Sequence, residues 1–333
     1  MKRERAFGKP AFRYRASVEI GIALSSEEHA PAELVRTAQA AEAAGLGFGL
    51  ISDHIHPWVD AQGHSGFVWS VLGAIAQSTS EFRIGTGVTC PLIRTHPAII
   101  AHAAATVGCL MPGRFFLGVG TGENLNEHVL GAKWPAPDER LEMLEEAIEV
   151  IRLLWQGDYQ THRGKHYTVE NLRIFDLPDE PVAIAVAAMQ PQAAELAGRI
   201  GDALVNVAPK EEIIDKFDGA GGKGKSKYGQ ITVCYAESKD EAKETAFRVW
   251  PNALVEGSAS QELPLPKDFE QLVEGRDADE LEETLTLGPD ADAYLDQVKE
   301  YDKAGYTHVY FHQIGPDQDA FLAFAQNELL PRL

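Results

Sequence analysis

The chain has 333 residues, is 44% hydrophobic and carries a formal net charge of −20. That length suffices for one large core or two ordinary ones, and such acidity argues against a nucleic-acid partner, whose phosphates need a basic face. Cys90, Cys109 and Cys234 form no CxxC pair, so neither a zinc knuckle nor a disulfide framework is expected, and a reducing cytoplasm fits.

Residues 1–15 are basic and lack an apolar segment, which reads as a lead-in rather than a signal peptide. No apolar run is long enough to span a bilayer. Residues 16–333 then alternate short apolar runs with helical stretches. "SVEIGIAL" (17–24) predicts a strand, and "APAELVRTAQAAEAAG" (30–45) a helix stopped by Gly45. Strands follow at 47–52, 82–88 and 115–120, with helices at 65–79, 96–111 and 137–156. In the second half, strands are expected at 182–188, 203–208, 230–236 and 308–313. Helices are expected at about 191–200, 239–250, 290–304 and 317–329.

Eight apolar, β-branched strands alternating with helices suit a parallel sheet covered on both faces. In a chain of this size they favour one closed (β/α)8 barrel over an open doubly wound sheet. Two segments break the alternation: 159–181, read as a hairpin excursion after the fourth helix, and the acidic, Pro-bearing 252–288 before the last unit. In a barrel such insertions often cover the active-site mouth.

Barrel chemistry sits at the C-terminal ends of the strands. Glu27 and Glu28 follow the first strand, and "SDHIHPW" (52–58) follows the second. "TGVTCP" closes the third, "GTGENLNE" the fourth, and Lys210 follows the sixth. His54 and His56 would share a face of an extended segment, yet no third ligand stands at a recognised spacing, so no metal is expected. His54 beside Asp53 is a better candidate for proton transfer, and Trp58 for the floor under a ring. "GVGTGEN" fails as a dinucleotide fingerprint, because Glu123 stands where a third glycine is needed. It is read instead as a close backbone approach to a ligand, with Glu123 aimed into the pocket. Gly87 can accommodate a bulge or a cis peptide.

Together, "ISDHIHPW", "GTGVTCP", "PGRFFLGVGTGENLNEHVLG" and "RLEMLEEAIEVIRLLW" resemble the luciferase-like (β/α)8 flavin and deazaflavin enzymes. The nearest group is the F420-dependent glucose-6-phosphate dehydrogenase-like oxidoreductases, and the similarity runs over nearly the whole chain. The resemblance implies coenzyme F420, a two-electron hydride carrier, and a homodimer. Asp53 would hold the edge of the deazaflavin. His54 would sit beside the hydride-exchanging carbon, supported by Glu27, with Trp58 near the substrate and Glu123 at the pyrimidine end. Thr86, Gly87 and Val88 would form a bulge behind the ring, often with a non-proline cis bond. Thr121 and Gly122 would reach the cofactor with their backbone, and the loop Ala187, Ala188, Met189 and Gln190 would approach its phosphate.

Two departures bear on the ligands. Where the sugar-phosphate enzymes carry a Gly-Gly pair, this chain has Met189 and Gln190. Of the three cations that grip the phosphate in those enzymes, Lys210 matches one, while Ser260 and Thr284 fall at the other two. One cation near an acidic stretch suits a phosphate dianion poorly. The expectation is therefore an F420-dependent oxidoreductase acting on a small non-phosphorylated alcohol, carbonyl or activated double bond. The alternatives are an F420-dependent sugar-phosphate dehydrogenase and an FMN-dependent monooxygenase. A non-catalytic barrel would require all the strand-end polar residues to be incidental.

Overall fold

The computed structural model describes residues 18–333, so the expected lead-in 1–15 lies outside the described residues. Eight parallel strands form the barrel: β1 (Glu19–Leu24), β2 (Phe48–Ile51), β3 (Arg83–Thr86), β4 (Phe115–Val119), β5 (Ala183–Ala187), β6 (Ala203–Asn206), β7 (Ser226–Cys234) and β8 (His308–Gln313). Each pairs with its chain neighbour, β8 returns to β1, and the sheet is closed. The fold class expected from the sequence is the one observed. β7 starts at Ser226, earlier than the apolar run alone indicated.

Strand parity sorts the side chains into two cores, because successive residues point to opposite faces. Ile20, Ile22 and Leu24 of β1, with Leu117, Ile184, Leu204 and Phe311, pack in the core that also holds the helices' buried faces. Phe48, Leu50, Phe116, Ala185, Val205, Tyr228 and Tyr310 form a separate cluster inside the barrel. Glycines make room for the inward rings. A Cβ on Gly21 would lie 2.6 Å from the Phe48 ring, and one on Gly85 would lie 2.1 Å from the ring of Phe116.

Helices Pro31–Ala44, Val68–Ser78, Pro97–Leu110, Pro137–Leu154 and Pro191–Ile200 connect the first six strands. Proline in the first turn recurs because its missing N–H falls where a helix has no acceptor. The sequence reading gave no helix between β6 and β7, yet Glu211–Phe217 is helical and runs into a wide turn at Asp218–Gly222. Its short, charged, glycine-followed sequence hid it: three turns of clear periodicity never accumulate.

Two excursions leave the alternation. Gln160–Arg163 and Thr168–Leu172 form an antiparallel hairpin after the helix Pro137–Leu154. Between the helices Lys239–Val249 and Ala291–Ala304, the chain makes several short helical turns and a helix, Pro266–Val273. It then adds a two-residue strand, Thr286–Leu287, parallel to the end of β7. No helix among the described residues is long and apolar enough to cross a membrane.

Gly118, inward on β4, gives a direct test of this packing. A Cβ there would lie 1.9 Å from the carbonyl oxygen of Thr86, which is fixed backbone. A Cβ on Gly73, inside the helix Val68–Ser78, would meet nothing within 4 Å. Gly118→Ala is expected to cost about 1–3 kcal/mol in urea unfolding, whereas Gly73→Ala is expected to add roughly 0.5–1 kcal/mol. Equal signs would refute the packing account.

Candidate active site

A cavity of about 290 Å³ opens at the C-terminal ends of the strands. Its floor is apolar, from Ala23, Leu50, Val88, Ala187 and Val205, and its walls carry Glu27, His54, Glu123 and His312. Trp58 and Trp250 face it from the sides.

Glu27 is buried directly after β1. Its Oε1 lies 3.3 Å from His54 Nε2. Its Oε2 accepts from Ser25 Oγ at 3.3 Å and Ser26 Oγ at 3.4 Å, and closely from Ser52 Oγ. Burial alone would raise its pKa, but the His54 charge and the Ser52 hydroxyl outweigh burial and hold it below the usual carboxylate value. Glu27 is thus a fixed anion beside an imidazole.

His54 is oriented from its other side by Asn126, which is also buried. Asn126 Oδ1 accepts from Ile55 N at 3.0 Å and His56 N at 3.3 Å. Its amide nitrogen is therefore the atom facing His54 Nδ1 at 3.1 Å, and it donates there. That assigns the neutral ring's hydrogen to Nε2, toward Glu27. When the ring takes a second proton, the carbonyl of His56, 3.1 Å from Nδ1, becomes an acceptor for it. Trp58 packs on His54 with centroids 5.1 Å apart and is itself backed edge-on by Phe269 at 5.4 Å.

Asp53 has protein partners that the sequence did not reveal. Its Oδ1 takes Arg94 Nη2 at 3.0 Å and its Oδ2 takes Thr89 Oγ1 at 2.8 Å, and it does not line the cavity. Arg94 also reaches Glu127, with Nε 3.3 Å and backbone N 2.9 Å from its oxygens. Burial pushes the Glu127 carboxyl upward, against the pull of Arg94. Burial likewise opposes the charge of Arg94, but Asp53 and Glu127 together hold its pKa above the ordinary value.

The remaining expected site residues divide clearly. Glu27, His54, Trp58, Gly87, Val88, Glu123, Ala187 and Met189 line the cavity. The peptide bond Gly87–Val88 is cis. Thr86 is buried and spends its hydroxyl on the carbonyl of Gly118 at 2.6 Å. Thr121 and Gly122 are half-buried at the rim, with Gly122 at φ +73°. Ala188 is buried, and Gln190 is exposed as the N-cap of the next helix. Lys210 is exposed, outside the cavity lining. Ser260 lines the cavity, while Thr284 turns its hydroxyl to the carbonyl of Leu281 at 3.3 Å. His56 bonds the carbonyl of Leu125 through Nδ1 at 3.0 Å, so it anchors its loop.

Sequence reasoning missed Ser52, Arg94, Asn126, Trp250, Gln261 and His312. Asn126 and Ser52 lie inside motifs already singled out, and His312 ends the last strand, so position alone could have marked them. Trp250 and Gln261 come from the second excursion and its approach, whose path is not encoded in any local pattern. That excursion is fastened over the mouth. Arg140 Nη1 bonds Glu262 at 3.0 Å and its Nη2 bonds Gln261 at 3.3 Å, while Asn124 Nδ2 donates to the Glu262 carbonyl at 2.9 Å.

The family model for luciferase-like monooxygenases matches residues 12–308. The chain belongs to the luciferase-like family. It is 35% identical over 330 residues to an F420-dependent glucose-6-phosphate dehydrogenase of Nocardia farcinica, covering 95% of this chain and 98% of that one. A Mycobacterium tuberculosis protein of the same name is 34% identical over 332 residues, covering 96% and 98%. Among solved structures, an F420-dependent secondary alcohol dehydrogenase holding an F420–acetone adduct superposes with a TM-score of 0.87 at 29% identity, covering 95% of this chain and 98% of that one. The F420-dependent tetrahydromethanopterin reductase of Methanopyrus kandleri shares the fold at a TM-score of 0.76 and 22% identity, covering 94% and 99%.

The Asp53–Arg94–Glu127 network makes a stability prediction. Arg94→Met leaves two buried carboxylates without their cation, at a cost of about 3–5 kcal/mol. Burial already holds the Glu127 carboxyl above its ordinary value, and without Arg94 it rises further, so the stability it contributes is retained at low pH and lost as pH rises through its folded-state value. Chemical denaturation should therefore show a deficit larger at pH 8 than at pH 5. A pH-independent deficit would refute the ionic account.

Proposed function

We propose that this chain is an F420-dependent dehydrogenase that removes a hydride and a proton from a carbinol group held between Trp58 and the Glu27–His54 pair. The observation that carries the proposal is that pair: a buried anion 3.3 Å from an imidazole whose other nitrogen is fixed, facing a cavity at the strand ends. F420 dependence comes from relatives that span nearly the whole chain. The cavity fits a flat ring, with Val88 and Leu50 offering an apolar face and Glu123 a carboxylate with no bond from the described residues. Bound deazaflavin supplies the hydride-accepting carbon.

The protein supplies orientation and proton handling. Asn126 keeps the His54 ring in one orientation. Asn126 and the His56 carbonyl occupy Nδ1 of His54, so the substrate hydroxyl gives its proton to Glu27 Oε1 as the hydride leaves, with the Nε2–H of His54 steadying the carboxylate and the substrate oxygen. Glu123, on the cavity wall, would hold the pyrimidine end of the bound ring and supply a carboxyl group for its proton. The excursion that carries Ser260 and Gln261 covers the mouth and limits water.

For the substrate, the relatives' names favour a sugar phosphate over the non-phosphorylated class expected from the sequence. A second reading, a neutral alcohol, is favoured by one observation: no lysine or arginine among the described residues lines the cavity. The same family grounds support a homodimer, and three unpaired cysteines support a reducing compartment. Light scattering in solution checks the first.

Titration followed by deazaflavin fluorescence is expected to show micromolar F420 binding, with FMN binding far more weakly; no F420 binding would overturn the proposal. His54→Ala is expected to keep F420 binding while turnover drops about 10²-fold or more. Unchanged turnover would remove His54 from proton transfer. Bleaching of F420 by glucose 6-phosphate, glucose and 2-propanol separates the substrate readings, since the sugar-phosphate reading expects the lowest KM with the first.

A further inference from the structure

Glu27 and Glu28 are consecutive, yet they serve opposite neighbours. β1 lies between β2 and β8 in the barrel. Glu27 turns toward His54, beyond β2. Glu28 turns the other way, its Oε2 lying 3.0 Å from Nε2 of His312 on β8. Both side chains of this second pair are 4% exposed. The other carboxylate oxygen of Glu28 accepts from Gly315 N at 2.9 Å. An ionised carboxylate only accepts, so His312 presents its hydrogen at Nε2. Nδ1 is then left as a lone-pair acceptor.

That acceptor has somewhere to point. His312 follows Tyr310 by two residues on β8, so both face into the barrel. His312 lines the same cavity as His54. No hydrogen bond to its Nδ1 comes from the described residues, and Nδ1 is not among the polar atoms sealed away without a partner. Trp250 meets the ring edge-on at 4.4 Å and also lines the cavity, as does Gln230. A flat apolar wall beside an oriented acceptor and an amide suits a chain of carbinol groups, with C–H edges on the ring and a hydroxyl on the nitrogen. A simple alcohol has no second hydroxyl to satisfy it.

We infer that His312, held by Glu28, is a specificity-determining residue that accepts a hydrogen bond from a second substrate hydroxyl, so that the site takes polyhydroxylated carbon chains in preference to simple alcohols. This rests on the dehydrogenase reading above. A merely structural Glu28–His312 pair would affect all substrates alike, and substitution distinguishes the two. His312→Gln keeps a partner for Glu28 but withdraws the cavity-facing acceptor. His312→Asn keeps an acceptor near the Nδ1 position but releases Glu28.

The experiment measures kcat and KM for glucose 6-phosphate, glucose and 2-propanol with F420, in wild type and both variants, with F420 fluorescence titration as the control for an intact site. The expected result is that His312→Gln raises KM for the sugars about tenfold to hundredfold, with KM for 2-propanol and F420 affinity unchanged. His312→Asn should restore part of the sugar KM. Wild-type turnover combined with equal changes for sugars and 2-propanol, or with no change for either, overturns this inference and leaves the dehydrogenase reading standing. No turnover of any of the three substrates by F420-loaded wild type overturns both.

Discussion

Closure of the parallel sheet is the constraint on which everything else depends. Once β6 and β7 pair, each strand residue faces either the barrel interior or the helices, and strand parity decides which. The interior is filled at one end by Phe48, Phe116 and Tyr228, with glycines opposite the first two rings. Above those rings Leu50, Val205 and Tyr310 form a second apolar layer, and the strand ends lie beyond it. Polar side chains there open onto a cavity, where Glu27, His54 and His312 converge from the ends of separate strands.

Burying those charges requires that each be matched. Glu27 has an imidazole and three serine hydroxyls, and Glu28 an imidazole and a backbone N–H. Asp53 and Glu127 share one guanidinium. Buried ion pairs add little net stability by themselves, but they penalise any rearrangement that separates them. The site's geometry is therefore fixed by electrostatics more than by packing. The proposed proton transfer would benefit directly, because Glu27 and His54 are held in place before any substrate arrives.

Much of this was legible in the sequence, for reasons that differ by level. Barrel strands announce themselves as short apolar runs, and proline-initiated helices as periodic ones, so the (β/α)8 order could be read off. Glu27, His54, Trp58 and Glu123 could be read because they sit at strand ends in unusual local sequence. The ion pair of Asp53 could not be read: its Arg94 lies 41 residues away, and no local pattern carries such a pairing. His312 was passed over because "HVYFHQ" looks like an ordinary apolar strand until its neighbour β1 is known. The helix Glu211–Phe217 was lost to its own brevity, and the mouth-covering role of Trp250 and Gln261 to the irregularity of their segment.

The second excursion packs Leu254, Val273, Leu281, Leu285 and Leu287 on Ala242, Ala246 and Val249 of the preceding helix and on Cys234 and Ile314 at the ends of β7 and β8. Its strand Thr286–Leu287 is tied to β7, while its mouth-covering part is held by side chains, Arg140 with Glu262 and Phe269 with Trp58 among them. Segments built this way can drift in sequence without disturbing the strands beneath. Over evolutionary time the range of acceptable substrates can thus diverge while Glu27, His54 and Asn126 stay as they are. One scaffold can in this way supply a lineage of enzymes that share their proton chemistry and differ in diet.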